Sequence, residues 1–326
     1  MKLLSSLAAV AFGALCLGPA SAQDGRDYGS RPIRLIVPVS PGGSTDIVAR
    51  IIAASLTESA GLRFVIDNRP GAGGIIGAET VARATPDGYT LLFAYASFTT
   101  TPFLQRVPYD PYRDFTHIIN IAVSPLLLVV NPSLPVSNVQ ELIALAKATP
   151  KGLNAGIATA GSAGHIAMEI FKSRTGVGDG IVSVIYSGGA PAQVALMSGE
   201  VQLVFGSLST ALPFIKSGKV KLIASIAPKR LAQFPDSPTM GELGVALESA
   251  APWQGLSGPP NLPRHIVTKL NGEVGKILKR QDVIDRLLAA GALPVGGTPE
   301  AFSEKIRLDL QEFGKVIPSL GMKGER

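Results

Sequence analysis

The chain alternates short apolar runs with longer segments whose apolar residues recur at helical spacing. Ile33 to Val37 is a β-rich apolar run, the pattern of a buried strand. Pro38 to Gly43 suits neither a strand nor a helix interior and reads as a turn. Ser44-Thr45-Asp46 carries helix-start residues, after which Ile47/Ile51 and Val48/Ile52 repeat at helical spacing. The unit returns downstream. Phe64 to Asp67 predicts a second strand, Asn68 to Gly74 a turn, Ile75 to Ala84 a short helix, Thr85 to Gly88 a turn and Tyr89 to Ala94 a third strand. This β-α-β-α-β order is the unit of a doubly wound parallel sheet.

Ser97 to Asp114 reads as a looser stretch. Ile118 to Val123 and Leu126 to Val130 are apolar and extended, and Val139 to Ala148 predicts a helix. Strand, turn and helix then recur twice. Leu153 to Ile157 leads through Ala158 to Gly164 into a helix with Ile166/Ile170 on one face. Val182 to Ile185 leads through Tyr186 to Pro191 into a helix with proline near its first turn. Leu203 to Phe205 runs into Gly206 to Thr210, and Val220 to Ile226 is another strand. Trp253 to Ser257 predicts a short strand, followed by helices over Arg264 to Lys279, Asp282 to Ala290 and Pro299 to Phe313; residues 319–326 are expected to fray. Crossings near 122–126 and 224–228 divide the chain into two α/β lobes. Residues 23–124 plus 226–326 form lobe 1, and residues 125–225 form an inserted lobe 2. Ligands in open α/β sheets bind outside the carboxyl ends of the strands, and domain interfaces favour pockets.

The glycine turns carry the candidate chemistry. A helix's first turn leaves backbone N–H groups unpaired, and the macrodipole adds positive potential there. Glycine lets another molecule approach the backbone closely. The turn before Ser44 holds no Lys or Arg, which favours a neutral, N–H-lined anion seat. The plainer alternative is that Ser44 or Thr45 caps the helix and Asp46 complements its dipole.

Composition narrows the class. Lys2, the apolar run Leu3 to Leu17, the break at Gly18-Pro19 and the pattern Ala20-Ser21-Ala22 predict a signal peptide over residues 1–22, with Gln23 the first mature residue. The sole cysteine, Cys16, lies inside it, and Leu15 before it argues against lipid anchoring. An exported chain with no disulfide suits the periplasm of a Gram-negative bacterium. The length suffices for two domains with real cores. The net charge of +6 is scattered, with no basic run of the nucleic-acid kind. Three histidines and no clustered acidic run argue against a metal site, and no cofactor is expected.

Several motifs together make a specific resemblance. Arg31 to Pro38, Pro41 to Asp46, Asn68 to Gly74 and Pro86 to Leu92 resemble the Bug family, the periplasmic substrate-binding proteins of tripartite tricarboxylate transporters. Pro108 to Pro111, Gly188 to Ala192, Arg264 to Val267 and Gly296 to Glu300 extend the likeness over nearly all of the mature chain. The resemblance implies an α/β, two-lobed periplasmic-binding-protein (type II) fold that closes on a small carboxylate. Main-chain N–H groups and hydroxyls of facing loops hold the ligand in that family, partly through ordered water. By motif position the ligand-binding residues are Ser40, Gly42, Gly43, Ser44, Thr45 and Asp46 on the first lobe. On the second they are Thr159, Gly161, Ser162, Ala163, His165, Tyr186, Gly189, Ala190 and Ser207. The implied partners are a small organic or amino acid and, transiently, the membrane subunits of a transporter, with the protein a monomer. The chain departs from the family at Val39-Ser40, at Ser187 where Lys is common, and in Phe205 to Thr210, which lacks a common Asp.

Parts of the same chain resemble other classes. Ala160-Gly161-Ser162-Ala163-Gly164 looks like the nucleophile elbow of a hydrolase, yet Ala160 stands where an elbow has glycine. His117, His165 and His265 are the only histidines available to serve Ser162 as a base. Gly71-Ala72-Gly73-Gly74-Ile75-Ile76-Gly77 has the wrong spacing for a dinucleotide fingerprint and follows Pro70. Trp253, Tyr95 and Tyr186 suit a pocket wall or, more commonly, a core. A sensory module docking on a membrane receptor would use the same closed cleft as a transport receptor.

Overall fold

The computed structural model describes residues 28–319 except Gly43, Thr159, Ala160, Ser187 and Gly188. The leader read at 1–22 and the fraying read beyond 319 lie outside the described residues. In chain order the elements are β1 (Ile33–Val37), α1 (Ser44–Ala60), β2 (Phe64–Asn68), α2 (Ile75–Ala82), β3 (Thr90–Tyr95), α3 (Ser97–Leu104) and β4 (Thr116–Val123). Then follow β5 (Leu126–Val130), α4 (Val139–Ala148), β6 (Leu153–Ile157), α5 (Ala163–Thr175), β7 (Ile181–Ile185), α6 (Gly189–Ser198), β8 (Leu203–Ser207), α7 (Leu208–Lys216) and β9 (Lys221–Ile226). The tail contributes β10 (Trp253–Gly258), α8 (Arg264–Ile277), α9 (Gln281–Ala289), β11 (Leu293–Pro294) and α10 (Pro299–Ser319).

These strands make two mixed sheets, ordered β11-β4-β10-β3-β1-β2 and β7-β6-β8-β5-β9. The two-lobed α/β class expected from the sequence is therefore present. Strands such as β5, Leu-Leu-Leu-Val-Val, are buried at every residue, as a central strand covered on both faces requires. Helix α1 buries Val48, Ile51, Ile52 and Leu56, one stripe at helical spacing. No helix among the described residues is long and apolar enough to cross a membrane.

Three features set how the lobes meet. Only Ser124 and Pro125 separate β4 from β5, and Ser124 N–H donates to the Pro252 carbonyl at 2.6 Å on the returning chain. The chain after β9 also rests on the second lobe. Met240 N–H donates to the Ser225 carbonyl, and Met240, Leu247, Ala250 and Ala251 bury against the second lobe's Leu126 and Phe171. Finally, α10 spans both cores. Phe302 and Ile306 pack with Trp253 in the first lobe, whereas Phe313, Val316 and Ile317 join the second lobe's core.

Trp253 is a core residue. It has no exposed surface, meets Phe302 edge-on at 5.3 Å, and donates its Nε1–H to Asp309 Oδ2 at 2.8 Å. Burial pushes the Asp309 carboxyl up to about 6, against the pull of Lys305 and the indole N–H.

Candidate functional site

Topology brings the turns together. β2, β1 and β3 run parallel, so α1, α2 and α3 all start at one edge of the first sheet. β7, β6 and β8 are likewise parallel, and α5, α6 and α7 start at one edge of the second. β4 is antiparallel to β10, which is antiparallel to β3; β4 therefore ends at the first sheet's turn edge. β5 is antiparallel to β8 and begins at the second sheet's turn edge. The short crossing at Ser124-Pro125 joins the two edges directly. Six helix N-termini, whose first-turn N–H groups have no partner within their own helix, thus gather on either side of one crossing. Leu208 N–H, at the start of α7, donates to the Pro125 carbonyl itself.

The first-lobe turn is organised by Asp46, which is 1% exposed. Its Oδ2 accepts Gly42 N–H at 2.9 Å and Arg50 Nε–H at 2.8 Å, and its Oδ1 accepts Asn68 Nδ2–H at 2.9 Å. Asn68 also donates to the Val39 carbonyl, so the turn is tied to both strand ends. Burial alone would raise the Asp46 carboxyl. The hydrogen bonds from Arg50, Gly42 and Asn68, with the Arg50 charge, outweigh it and hold the carboxyl below its ordinary range. Gly42 has φ 86°, left-handed backbone that suits glycine.

The second-lobe turn has the same plan built from neutral groups. Gly161, at φ 73°, donates its N–H to His165 Nδ1 at 3.0 Å. Ser162 caps α5, its Oγ accepting His165 N–H at 3.3 Å. His165 Nε2 lies 3.9 Å from Glu169 Oε1. Since Nδ1 accepts, the proton of the neutral ring sits on Nε2. Burial lowers the His165 imidazole; Glu169 pulls it up, and Lys172 pushes it down. Nδ1 is thus taken up by the Gly161 N–H rather than by the Ser162 hydroxyl, whose Oγ meets the His165 backbone N–H instead.

The other expected residues fall in three groups. Ser40 and Ser44 are exposed on the first-lobe turn, while Thr45 is buried. Ala163 opens α5, and Gly189 and Ala190 open α6; Ser207 caps α7, its Oγ 2.8 Å from Thr210 Oγ1. Tyr186 donates its hydroxyl to Glu200 Oε1 at 2.7 Å, and burial beside that carboxylate pushes the phenol up to about 12. Gly43 and Thr159 lie outside the described residues. Gly42 and Gly161 stand in the turns at these edges, and their N–H groups are taken up within their own turns. Among the described residues no group of His, Cys, Asp and Glu is placed to hold a metal.

The sequence reading missed a third element on the first edge. Helix α3 begins at Ser97, and Tyr95 and Ser97 both donate hydroxyls to the Gly73 carbonyl, at 3.2 and 3.0 Å. Gln105 Nε2 donates to the neighbouring Ala72 carbonyl. These bonds fix the 71–74 turn, where Ala72 has φ 48° and Gly73 and Gly74 are also left-handed. The only sequence signal was the glycine cluster itself, which demanded an external partner for its carbonyls.

The family model for the tripartite tricarboxylate transporter family receptor matches residues 48–322. Protein BugT of Bordetella pertussis (strain Tohama I) is 34% identical over 326 residues, 99% of each chain. An R. palustris protein solved with adipate is 37% identical, covers 92% of this chain and 100% of its own, and superposes with a TM-score of 0.68. A Polaromonas TctC solute-binding protein solved without ligand is 27% identical, covers 90% of this chain and 99% of its own, and superposes at 0.83. Sequence, topology and the paired turn edges converge, and the chain belongs to the tripartite tricarboxylate transporter receptor family.

Proposed function

We propose that this protein captures a small carboxylate, an organic or amino acid, between its two lobes in the periplasm. It then delivers the ligand to the membrane subunits of a tripartite transporter and performs no chemistry on it. The observation that carries the reading is the pairing of helix N-termini across one crossing, through turns at 38–46, 158–163 and 186–191 that hold no Lys or Arg. Such a seat offers N–H and hydroxyl donors to an anion. The remaining donors are the backbone N–H groups at the starts of α1 and α5, with the hydroxyls of Ser40, Ser44 and Ser162. Adipate in the R. palustris relative supports the carboxylate class.

Closure is part of the proposal. A ligand touching both turns gains its second set of contacts only when the lobes meet, so it favours the closed state by its differential affinity. The chain superposes better on the 27%-identical ligand-free relative than on the 37%-identical adipate-bound one. That order supports a hinge angle, rather than sequence divergence, as the main difference. A thermal-shift screen over organic acids, amino acids, sugars and phosphates tests the ligand class. A tight ligand raises stability by about 2.7 kcal/mol at a hundredfold excess over Kd. Shifts with sugars or metals alone would sink the carboxylate reading. An unchanged radius of gyration in solution scattering at saturation would sink closure.

A further inference from the structure

Gly161 N–H belongs to the second-lobe turn, yet the structure already gives it an acceptor. It donates to His165 Nδ1 at 3.0 Å, and the side chain that takes it is only 11% exposed. An anion oxygen that accepted this N–H instead would stand about 3 Å from the nitrogen. It would take the place of Nδ1 and lie against the imidazole. The ring and a bound anion therefore compete for one donor, and a neutral imidazole holds that donor back.

The charges around the ring set its response. Glu169 and Lys172, both on α5, act on it most directly. They pair with each other at 3.0 Å, and Ser183 of β7 donates its hydroxyl to Glu169 at 2.8 Å. The strands packed on α5 carry no ionisable side chain: β6 is Leu-Asn-Ala-Gly-Ile, β7 Ile-Val-Ser-Val-Ile and β8 Leu-Val-Phe-Gly-Ser. Helix α10 meets the far end of α5, where its Glu312 pairs with Arg174 at 3.1 Å. On the other side of the crossing Asp46 is paired with Arg50 at 2.8 Å. Little net charge is therefore left to hold a proton on the ring. Burial and the positive end of α5 oppose an imidazolium there, and the neutral ring keeps Gly161. A carboxylate at the turn brings the negative charge that reverses this balance.

We infer that His165 is a positioning residue of the carboxylate seat, taking up one proton from solvent as the anion arrives and so handing Gly161 N–H to it. On protonation Nδ1 turns from acceptor to donor. Gly161 N–H and Nδ1–H then both go to the carboxylate. One internal hydrogen bond is exchanged for two to the ligand, one of them charged on both sides. Gly161, at φ 73° and without a side chain, is free to turn its peptide in step. Release of the anion returns the proton to solvent. The inference rests on the carboxylate reading of the turns.

The test titrates the full-length mature protein with adipate by calorimetry, in two buffers of different ionisation enthalpy. The range is about pH 6 to 7.5, above that in which adipate itself takes protons. Affinity should rise by up to about tenfold for each pH unit lowered, and the two buffers should report net proton uptake. His165→Asn keeps an acceptor near the place of Nδ1 and cannot titrate. Its adipate affinity should not follow pH, and its proton uptake should vanish. The chain has three histidines, so nitrogen NMR of the unmodified protein reads the His165 ring without any variant. At constant pH, adipate should move that ring from the Nε2–H tautomer toward imidazolium. Adipate binding without proton uptake overturns the proposal and leaves the carboxylate reading standing. So does a ring that stays neutral in the complex, or a pH slope that persists in His165→Asn. If neither adipate nor any other acid of the screen binds, the carboxylate reading falls and takes the proposal with it.

Discussion

The two turns flanking the crossing solve one problem with different chemistry. In each, a left-handed glycine donates its N–H to the side chain four residues on, in the first turn of the helix: Gly42 to Asp46 and Gly161 to His165. On the first lobe the acceptor is a buried carboxylate that also gathers Arg50 and Asn68. On the second it is a neutral imidazole, backed by the Ser162 cap. The first turn is thus held by charge and cross-linked to β2, while the second is held locally. Charge-assisted hydrogen bonds are about twice as strong as neutral ones, so the first half-seat should be the firmer and the second the more adjustable.

The sharpest way to break this comparison is to remove the two acceptors. Asp46→Ala removes the acceptor that Gly42, Asn68 and Arg50 share and should cost about 2–4 kcal/mol of stability in urea unfolding. His165→Ala removes one neutral bond and some buried volume and should cost about 1–2 kcal/mol. Equal losses would erase the distinction. Ser162→Ala comes next. It loses the helix cap, at about 1 kcal/mol, and should weaken carboxylate binding by a similar amount if its hydroxyl reaches the ligand. Full affinity in Ser162→Ala would remove that side chain from the seat.

The smallest signal is a pH dependence confined to one turn. His165 is lowered below its ordinary value of 6.5, so its neutral, accepting form is favoured in the folded chain. Its contribution is present above the unfolded value and lost as pH falls through the folded one. Asp46, held below the ordinary carboxylate range, keeps accepting over the same interval. Amide-exchange protection at Gly161 should therefore fall on mild acidification while protection at Gly42 holds. Parallel losses at both glycines would contradict the assignment of acceptors.

How much of this was legible in the sequence depends on how local the cause is. The first strand, its glycine turn and the start of α1 are written in adjacent residues. Helix α4 was also legible from its apolar spacing, and its Asn138 cap with Glu141 three residues on closes a local box. Helix α3 was not. Thr99, Thr100, Thr101 and Pro102 are poor helix formers, and the segment is held by distant rings, with Phe98 stacked on Tyr109 at 5.9 Å and edge-on to Phe115 at 4.9 Å. Helix α7 was hidden by Pro213 within it. The candidate turns were found by residue type. That their own side chains would capture Gly42 and Gly161 N–H was invisible, because a bond direction depends on φ and ψ rather than on spacing alone. Asp309 beneath Trp253, 56 residues away, was equally out of reach.

The position of β10 bears on how the chain assembles. It lies in the middle of the first sheet, between β4 and β3, yet it is made after the whole second sheet. Until Trp253–Gly258 arrives, β3 and β4 each present an unpaired edge, and the first sheet cannot close. The second sheet draws all five strands from Leu126–Ile226 and depends on no later strand. Loop-closure entropy slows the pairing of distant segments. In pulse-labelled refolding, amides of β5, β6 and β8 should gain protection before those of β3 and β4, and the first sheet should lock only once its last-made central strand is inserted.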